Sequence, residues 1–388
     1  MSTARSFGIE EELVFLDPTT LSPVGVTAQM LTRGLPTSLQ GYVTAEYLTS
    51  QIEYSSPVHE TIDDAAARLT EFRAWVSAQT AELGVIAAAT GVPFEIAGEP
   101  EVAAVPRYEL VAGQYGAVAT DHQITAMHVH VGISSADEGV IALNRVRAWL
   151  PVLLALSGNS PFWQGKDTGF ASWRSIHMRR WTTSGCPPLF VDGSDYWQRV
   201  ERLVGVGGTT DRGTIAWNVR LSEHHPTIEF RVFDTQLTVE MSTVFAAICR
   251  ALVATAVADH AVGVDSPSLT PELLDASLWQ AARDGMAGDL VEPVSGQLAS
   301  AETVAQELLA YVEKALTSAG DRDTVTAGIT RILTGGTGAT RQRAAYRAGG
   351  TASLRALFGD SFPSLSPTIR GSAPRARIGA GKAPIHED

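Results

Sequence analysis

Four short segments of the chain place acids or imidazoles at alternate positions. They are Ile9-Glu10-Glu11-Glu12-Leu13, Gln51-Ile52-Glu53-Tyr54, His128-Val129-His130-Val131 and Thr227-Ile228-Glu229-Phe230-Arg231. Successive strand side chains point to opposite faces, so Glu10 shares a face with Glu12, His128 with His130 and Glu229 with Arg231. Acids crowded on a half-buried face repel one another and lose hydration, a cost that a divalent cation, or a polyphosphate with its metals, can offset. Ile9, Leu13 and Phe15 give the first segment an apolar opposite side, and Val14 and Leu16 follow Glu10 and Glu12 on their own side. A polar start on an otherwise apolar face suggests a lined cavity, and its hard oxygens suit Mg2+ with phosphate oxygens and water completing the octahedron.

Each segment also has a plainer reading. A Glu-x-Glu pair can be a charged edge strand, and Glu53 between Gln51 and Ser55 can be a solvated acid. Either histidine can be a satisfied structural ring, or the pair can open a zinc site that would require a further His or carboxylate; the pair alone does not choose between zinc and magnesium. Glu229 and Arg231 can form a same-face salt bridge, or a metal-holding acid beside a guanidinium that clamps a phosphoryl group in transfer. Trp217-Asn218-Val219-Arg220 offers a second guanidinium. The glycine-rich stretches do not carry nucleotide fingerprints. Between Gly158 and Lys166 the spacing is wrong for a P-loop and Asp167 replaces the needed Ser or Thr, while Gly205 to Gly208 follow a helix rather than a strand.

The elements that must position these residues read as strands first and helices later. Phe7 to Leu16 alternates as a strand ended by Asp17-Pro18, Gln51 to Ser55 as another, and apolar residues at helical spacing predict a helix from Asp63 to Leu83 stopped by Gly84. Strands follow at Val85 to Ala89 and Ala126 to Ser134, then a helix from Glu138 to Leu156, restarted near Pro151. The stretch from Phe162 to Gly213, dense in Trp, Gly, Pro and Arg, reads as long ordered loops. A strand pair near 215–221 and 227–233 precedes helices at 240–262, 271–285, 300–318, 323–333 and 340–348. This order predicts an α+β fold, an antiparallel sheet with helices packed on one side, in a single catalytic domain over 1–361. Residues 362–388, poor in large apolar side chains, read as a disordered tail.

Composition narrows the function classes. The 388 residues are 45% hydrophobic, enough for a full core. A net charge of -13 with no basic stripe argues against a nucleic-acid partner. Of the 29 basic residues only Lys166, Lys314 and Lys382 are lysines, so guanidinium forks would hold any phosphate. The two cysteines lack metal or redox spacing, which fits a reducing compartment. Glu10 to Glu12 arrive too early for a signal peptide, and Arg250 and Asp259 interrupt the most apolar helix, so the expectation is a cytoplasmic protein with no membrane partner. An uncovered sheet edge suggests a homodimer.

Six ordered motifs together closely resemble the type 2 glutamate-cysteine ligase family, also called carboxylate-amine ligases. They are Gly8 to Glu12, Ser50 to Glu53, His128 to Gly132, Asn144 to Arg147, Leu156 to Pro161 and Thr227 to Phe233, and the likeness continues through Trp279 to Arg283 and Arg341-Gln342-Arg343. The resemblance implies a glutamine-synthetase-like catalytic sheet that uses ATP and Mg2+ to phosphorylate a substrate carboxylate, after which an amine attacks the acyl phosphate. It implies Glu10, Glu12, Glu53 and Glu229 as metal-coordinating acids, His128 or His130 as an additional ligand, and Glu229 with Arg231 as the catalytic pair. It further implies Arg220, Arg231 and Arg341 as nucleotide contacts. The arginine-rich run holding Arg174 and Arg180 is a candidate grip for a substrate carboxylate, or simply a cover for the sheet. Glutamate and cysteine are the expected substrates. Two other classes stay open: a zinc-dependent hydrolase built on His128 and His130, and a weakly active nucleotide-binding relative.

Overall fold

In the computed structural model, residues 4–267 and 269–362 are described. The strands, in chain order, are β1 (Phe7–Leu16), β2 (Val43–Ala45), β3 (Gln51–Ser55), β4 (Ile86–Ala88), β5 (Ala126–Gly132), β6 (Phe162–Trp163), β7 (Lys166–Asp167), β8 (Val219–Leu221) and β9 (Thr227–Asp234), with a small β10 (Asp289–Val291) and β11 (Leu298–Ser300) hairpin. The helices are α1 (Thr27–Thr32), α2 (Ile62–Leu83), α3 (Pro106–Tyr115), α4 (Ala117–Thr120), α5 (Ala136–Val146), α6 (Leu150–Ser157), α7 (Trp173–Met178), α8 (Gly193–Gly205) and α9 (Val239–Ala261). After these come α10 (Pro271–Asp284), α11 (Ala301–Ala319), α12 (Arg322–Gly335) and α13 (Gly338–Gly359).

The main sheet is antiparallel, in the order β2-β3-β1-β5-β9-β8, with β4 also paired to β1. Its odd-numbered β1 residues Ile9, Leu13 and Phe15 join Ile52, Tyr54, Val129, Ile228 and Phe233 in the core under α2, α5, α9 and α11. Tyr54 stacks on Phe72 of α2 at 4.9 Å, and Phe233 meets Phe245 of α9 at 5.2 Å. This is the expected α+β antiparallel sheet with its main helical layer on one side, but helices are not confined to that side. On the opposite face Val14 and Leu16 pack with Leu354 and Phe358 of α13, so the face is apolar at one end and carries Glu10 and Glu12 at the other.

Local chemistry explains the boundaries. Thr61 caps α2 by accepting from Asp64 N at 3.2 Å, and Gly84 ends it at φ 69, a conformation side chains disfavour. Helix α9 is long and apolar enough to cross a membrane, yet it lies mostly buried in the core. Its Arg250 bonds Asp321 and the Glu60 carbonyl and covers the Phe7 ring.

Several expectations need correction. The 162–213 stretch is not simply loop: it holds α7 and the thirteen-residue α8, capped by Asp192 and burying Tyr196 and Val200. Its tryptophans and glycines obscured the period. Strand β2 and helix α3 carried no readable signal. The strand expected from 215 starts only at Val219, after a 3-10 turn at Arg212–Thr214. Helix α13 runs past 348 to Gly359 through a break at Gly349-Gly350, where Gly350 has φ 60. At the proposed tail boundary Phe362 is itself buried and lies 5.5 Å from the Arg73 guanidinium; 363–388 lie outside the described residues.

Glu11 points into the helix side, where Arg73 of α2 holds it with bonds of 2.6 and 2.9 Å and both side chains are fully buried. Removing one partner of such a pair strands the other charge in the core. Arg73→Met should therefore lower unfolding stability by about 3–5 kcal/mol, read by urea denaturation, and the Arg73→Met/Glu11→Gln double variant should recover part of the loss.

Candidate active site

Strand register assembles the sequence candidates into one row. Glu12 stands opposite Glu53, Glu10 opposite His128, His130 opposite Glu229, and Glu229 opposite Arg220. The row crosses β3, β1, β5, β9 and β8 on the face away from the main helical layer. One irregularity shapes it: Met127 pairs with Phe233 but Val129 with Phe230, so β9 carries one extra residue at Arg231-Val232. Such a bulge shifts the alternation by one. It lets Glu229, Arg231 and Asp234 share the site face while Ile228, Phe230 and Phe233 stay in the core.

The acids fall into two electrostatic groups. Glu10 accepts from His128 Nδ1 at 2.9 Å and lies 3.2 Å from His130 Nε2. Burial pushes its carboxyl up, but the hydrogen bonds from His128 and His130 win and hold it well below the usual range. Glu229 takes Arg220 Nε at 2.7 Å on one oxygen and Arg231 Nη1 on the other. Despite burial, these two cations hold it low. Glu12, Glu53 and Glu46 form the second group, with no ion-pair partner among the described residues. Burial, then Glu46, pushes Glu12 up to about 8; burial, then Glu46 and Glu10, raises Glu53 well above the carboxylate range. Burial also raises Glu46, which accepts from Tyr108 of α3 at 3.3 Å.

The histidines differ. Burial, then Arg231, pushes His128 down to about 4, so its ring is neutral near pH 7. At His130 burial opposes the charged ring, but the hydrogen bond to Glu10 and the field of Glu229 outweigh it and raise the pKa.

The donor set fits Mg2+: hard carboxylate oxygens, with Glu12 buried and Glu46 and Glu53 half-buried without an ion-pair partner among the described residues, and no thiolate in the row. Glu10, His128 and Glu229 each offer an atom within 4.8 Å of the others, a grouping that also suits a metal. Both Glu229 oxygens are already engaged by guanidinium groups, which makes it the least available of the three.

Not every candidate joins the row. Arg174 is 3% exposed, and its guanidinium donates to the carbonyls of Arg231 and Val232. Arg180 pairs with Asp121 and meets His177 Nδ1 at 2.6 Å. Arg341 is exposed on the first turn of α13 and lines a separate 340 Å3 cavity with Thr238, Arg331 and Ile332. Conversely, sequence reasoning missed Glu46 and Asp234. Glu46 follows the three-residue β2, too short to show alternation. Strict alternation from Glu229 puts Asp234 on the wrong face, and only the bulge brings it round. A cleft of about 1290 Å3 opens on Glu10 and His130 and is bordered by Tyr42, Val58, His225 and Thr227.

The raised acids give a measurable consequence. At pH 6.5 the folded, metal-free chain keeps a proton on Glu12 that the unfolded chain has lost, and gives it up as pH rises through about 8. Glu53, raised well above the carboxylate range, acts in the same direction. The native state then binds more protons, so stability must fall as pH rises from 6.5 to 8.5. His130, raised above its unfolded value, acts in the same direction, whereas His122, His128 and His177, lowered by burial, act against it only near their unfolded value of about 6.5. The melting temperature without metal is expected to drop from pH 6.5 to 8.5, and saturating Mg2+ to flatten the slope; a metal-free melting temperature that rises across the window contradicts this charge arrangement.

Residues 6–357 match the family model described as glutamate-cysteine ligase family 2. A Frankia alni protein named "Putative glutamate--cysteine ligase 2-2" is 37% identical over 355 residues, covering 88% of this chain and 92% of its own length. A Streptomyces coelicolor protein named "Putative glutamate--cysteine ligase 2" is 36% identical over 341 residues, covering 87% and 93%. Among solved structures, the glutamate–cysteine ligase of Francisella tularensis in complex with AMP superimposes with a TM-score of 0.65 at 13% identity, over 93% of this chain and 88% of that one. A bifunctional glutathione synthetase from Pasteurella multocida gives 0.62 at 15% identity, over 92% and 52%. These two likenesses show a shared fold.

Proposed function

Because the chain belongs to glutamate-cysteine ligase family 2 and is an ATP-dependent ligase forming a carbon–nitrogen bond, we propose that it joins the γ-carboxylate of glutamate to the amine of cysteine through an acyl phosphate. The observation that carries the site assignment is the row of buried and half-buried acids, of which Glu12, Glu46 and Glu53 have no ion-pair partner among the described residues, next to Arg231.

In this reading Glu10, Glu12 and Glu53, with Glu46, hold Mg2+, and neutral His128 contributes a nitrogen or orients Glu10. Bound Mg2+ would screen the repulsion between nucleotide phosphates and the acceptor carboxylate. A carboxylate oxygen attacks the γ-phosphorus, the bond to ADP breaks, and ADP leaves. The amine nitrogen then attacks the acyl carbon, phosphate departs with its oxygen, and the amine gives up one proton. Arg231 faces the charge that develops on the transferred group, and Arg220 keeps Glu229 and Arg231 in place from the far side. The cleft of about 1290 Å3 gives access to the row at Glu10 and His130.

The test is ADP release in Mg2+ buffer with acids and amines varied one at a time. Glutamate and cysteine together should stimulate release; no stimulation by any pair leaves a nucleotide-binding protein instead. Metal analysis separates the hydrolase reading, since stoichiometric zinc retained through dialysis would sink the Mg2+ assignment.

A further inference from the structure

The extra residue in β9 leaves the Arg231 and Val232 carbonyls outside a regular ladder. Both point to one side chain. Arg174 Nη2 donates to Arg231 O at 3.0 Å, and Nη1 lies 3.5 Å from Val232 O. The same guanidinium is 4.0 Å from Asp234, the last residue of β9. Asp234 in turn accepts from Ser160 Oγ at 2.7 Å, from Ser172 Oγ at 2.8 Å and from Asn159 N at 2.7 Å. Ser172 caps the helix that carries Arg174, and Ser160 Oγ accepts from the Arg174 backbone N–H at 3.1 Å. Loop, helix and strand end are thus tied around the bulge.

We propose that Arg174 is a positioning residue: by holding the two bulge carbonyls it fixes the register of β9 that turns the Arg231 guanidinium toward the acids. The idea deepens the ligase reading and rests on it for the importance of Arg231. A slip of one residue would turn part of β9 to the opposite face. Arg174 is 3% exposed, so it acts on the site through the strand it holds and through its charge on Glu12 rather than through contact with substrate. A planar fork can bridge two carbonyls, whereas a lysine ammonium is a single point.

The experiment is a double-mutant cycle on the full chain. Arg174→Met should lower kcat by about 100-fold with KM for ATP changed less than about threefold, and in an Arg231→Met background it should add less than about threefold. A kcat within about threefold of wild type per folded molecule, or losses that multiply, overturns the proposal. Should Arg174→Met fail to fold, Arg174→Lys keeps the charge beside Asp234 and should still lose about tenfold with the same non-additivity. An activity-free arm keeps the proposal separable from the ligase reading. In [15N]arginine-labelled protein, the Arg231 Nε–H resonance, assigned by its loss in Arg231→Lys, should shift and broaden in Arg174→Lys. If wild type shows no ligation, the ligase reading fails while this resonance still decides; an unchanged signal overturns the positioning role.

Discussion

Glu12→Gln is expected to lower turnover on the order of 10³-fold, equivalent to ~4 kcal/mol of transition-state stabilisation, while leaving the metal-free melting temperature unchanged or higher. The two effects have one cause. Glu12 is buried, faces Glu46 and Glu53, and has only the Ala126 backbone N–H as a close donor, at 2.7 Å. Without metal its charge is a liability, and a neutral amide of the same shape removes it. Under the proposed Mg2+ assignment the same charge would be a ligand that an amide replaces poorly. Stabilisation of the protein by Mg2+ should weaken in parallel, and the pH slope between 6.5 and 8.5 should flatten. A variant with normal turnover and a lowered melting temperature would make Glu12 a structural residue. Glu53→Gln should behave alike, since it occupies the paired position across β3 with the same causes of strain.

The contrast between what the sequence revealed and what it hid follows from how each residue is placed. Alternation in the segments was enough to put Glu10 with Glu12, His128 with His130 and Glu229 with Arg231 on one face of each strand, because period two is a property of any strand. The long C-terminal helices were equally readable from apolar spacing and their caps. Register was not readable: nothing local says that Glu12 meets Glu53 or that His130 meets Glu229. Nor does local sequence announce a bulge, and so Asp234 was assigned no role. Glu11 lies between two site residues yet serves the core, a fate decided by Arg73 sixty-two positions away. Arg174 and Arg180, alike as arginines in one short run, separate only in three dimensions, one against strand carbonyls and the other at a half-exposed ion pair.

Arg231→Gln should reduce kcat on the order of 10³-fold with a much smaller change in Mg2+–ATP affinity, because in the proposed reading its guanidinium stabilises charge that grows during transfer. The structure makes this substitution unusually interpretable. Removing one member of a buried ion pair commonly destabilises a protein by leaving its partner alone. Here Glu229 keeps both bonds from Arg220, at 2.7 and 3.2 Å, so the loss of Arg231 does not strand a carboxylate. Arg220→Gln is the informative opposite. That side chain also donates to the carbonyls of Gly213 and Ile215 at 2.6 and 2.8 Å, so its loss should loosen the 212–215 turn and lower stability as well as rate. Arg231→Lys should recover little, since a point charge on a flexible stem cannot keep the contact with Glu229 and face a transferring phosphoryl group at once. If Arg231→Gln retains kcat within about tenfold of wild type, the charge-stabilising role passes to Arg220 or to the metal, and the residue beside Glu229 is a salt bridge and nothing more.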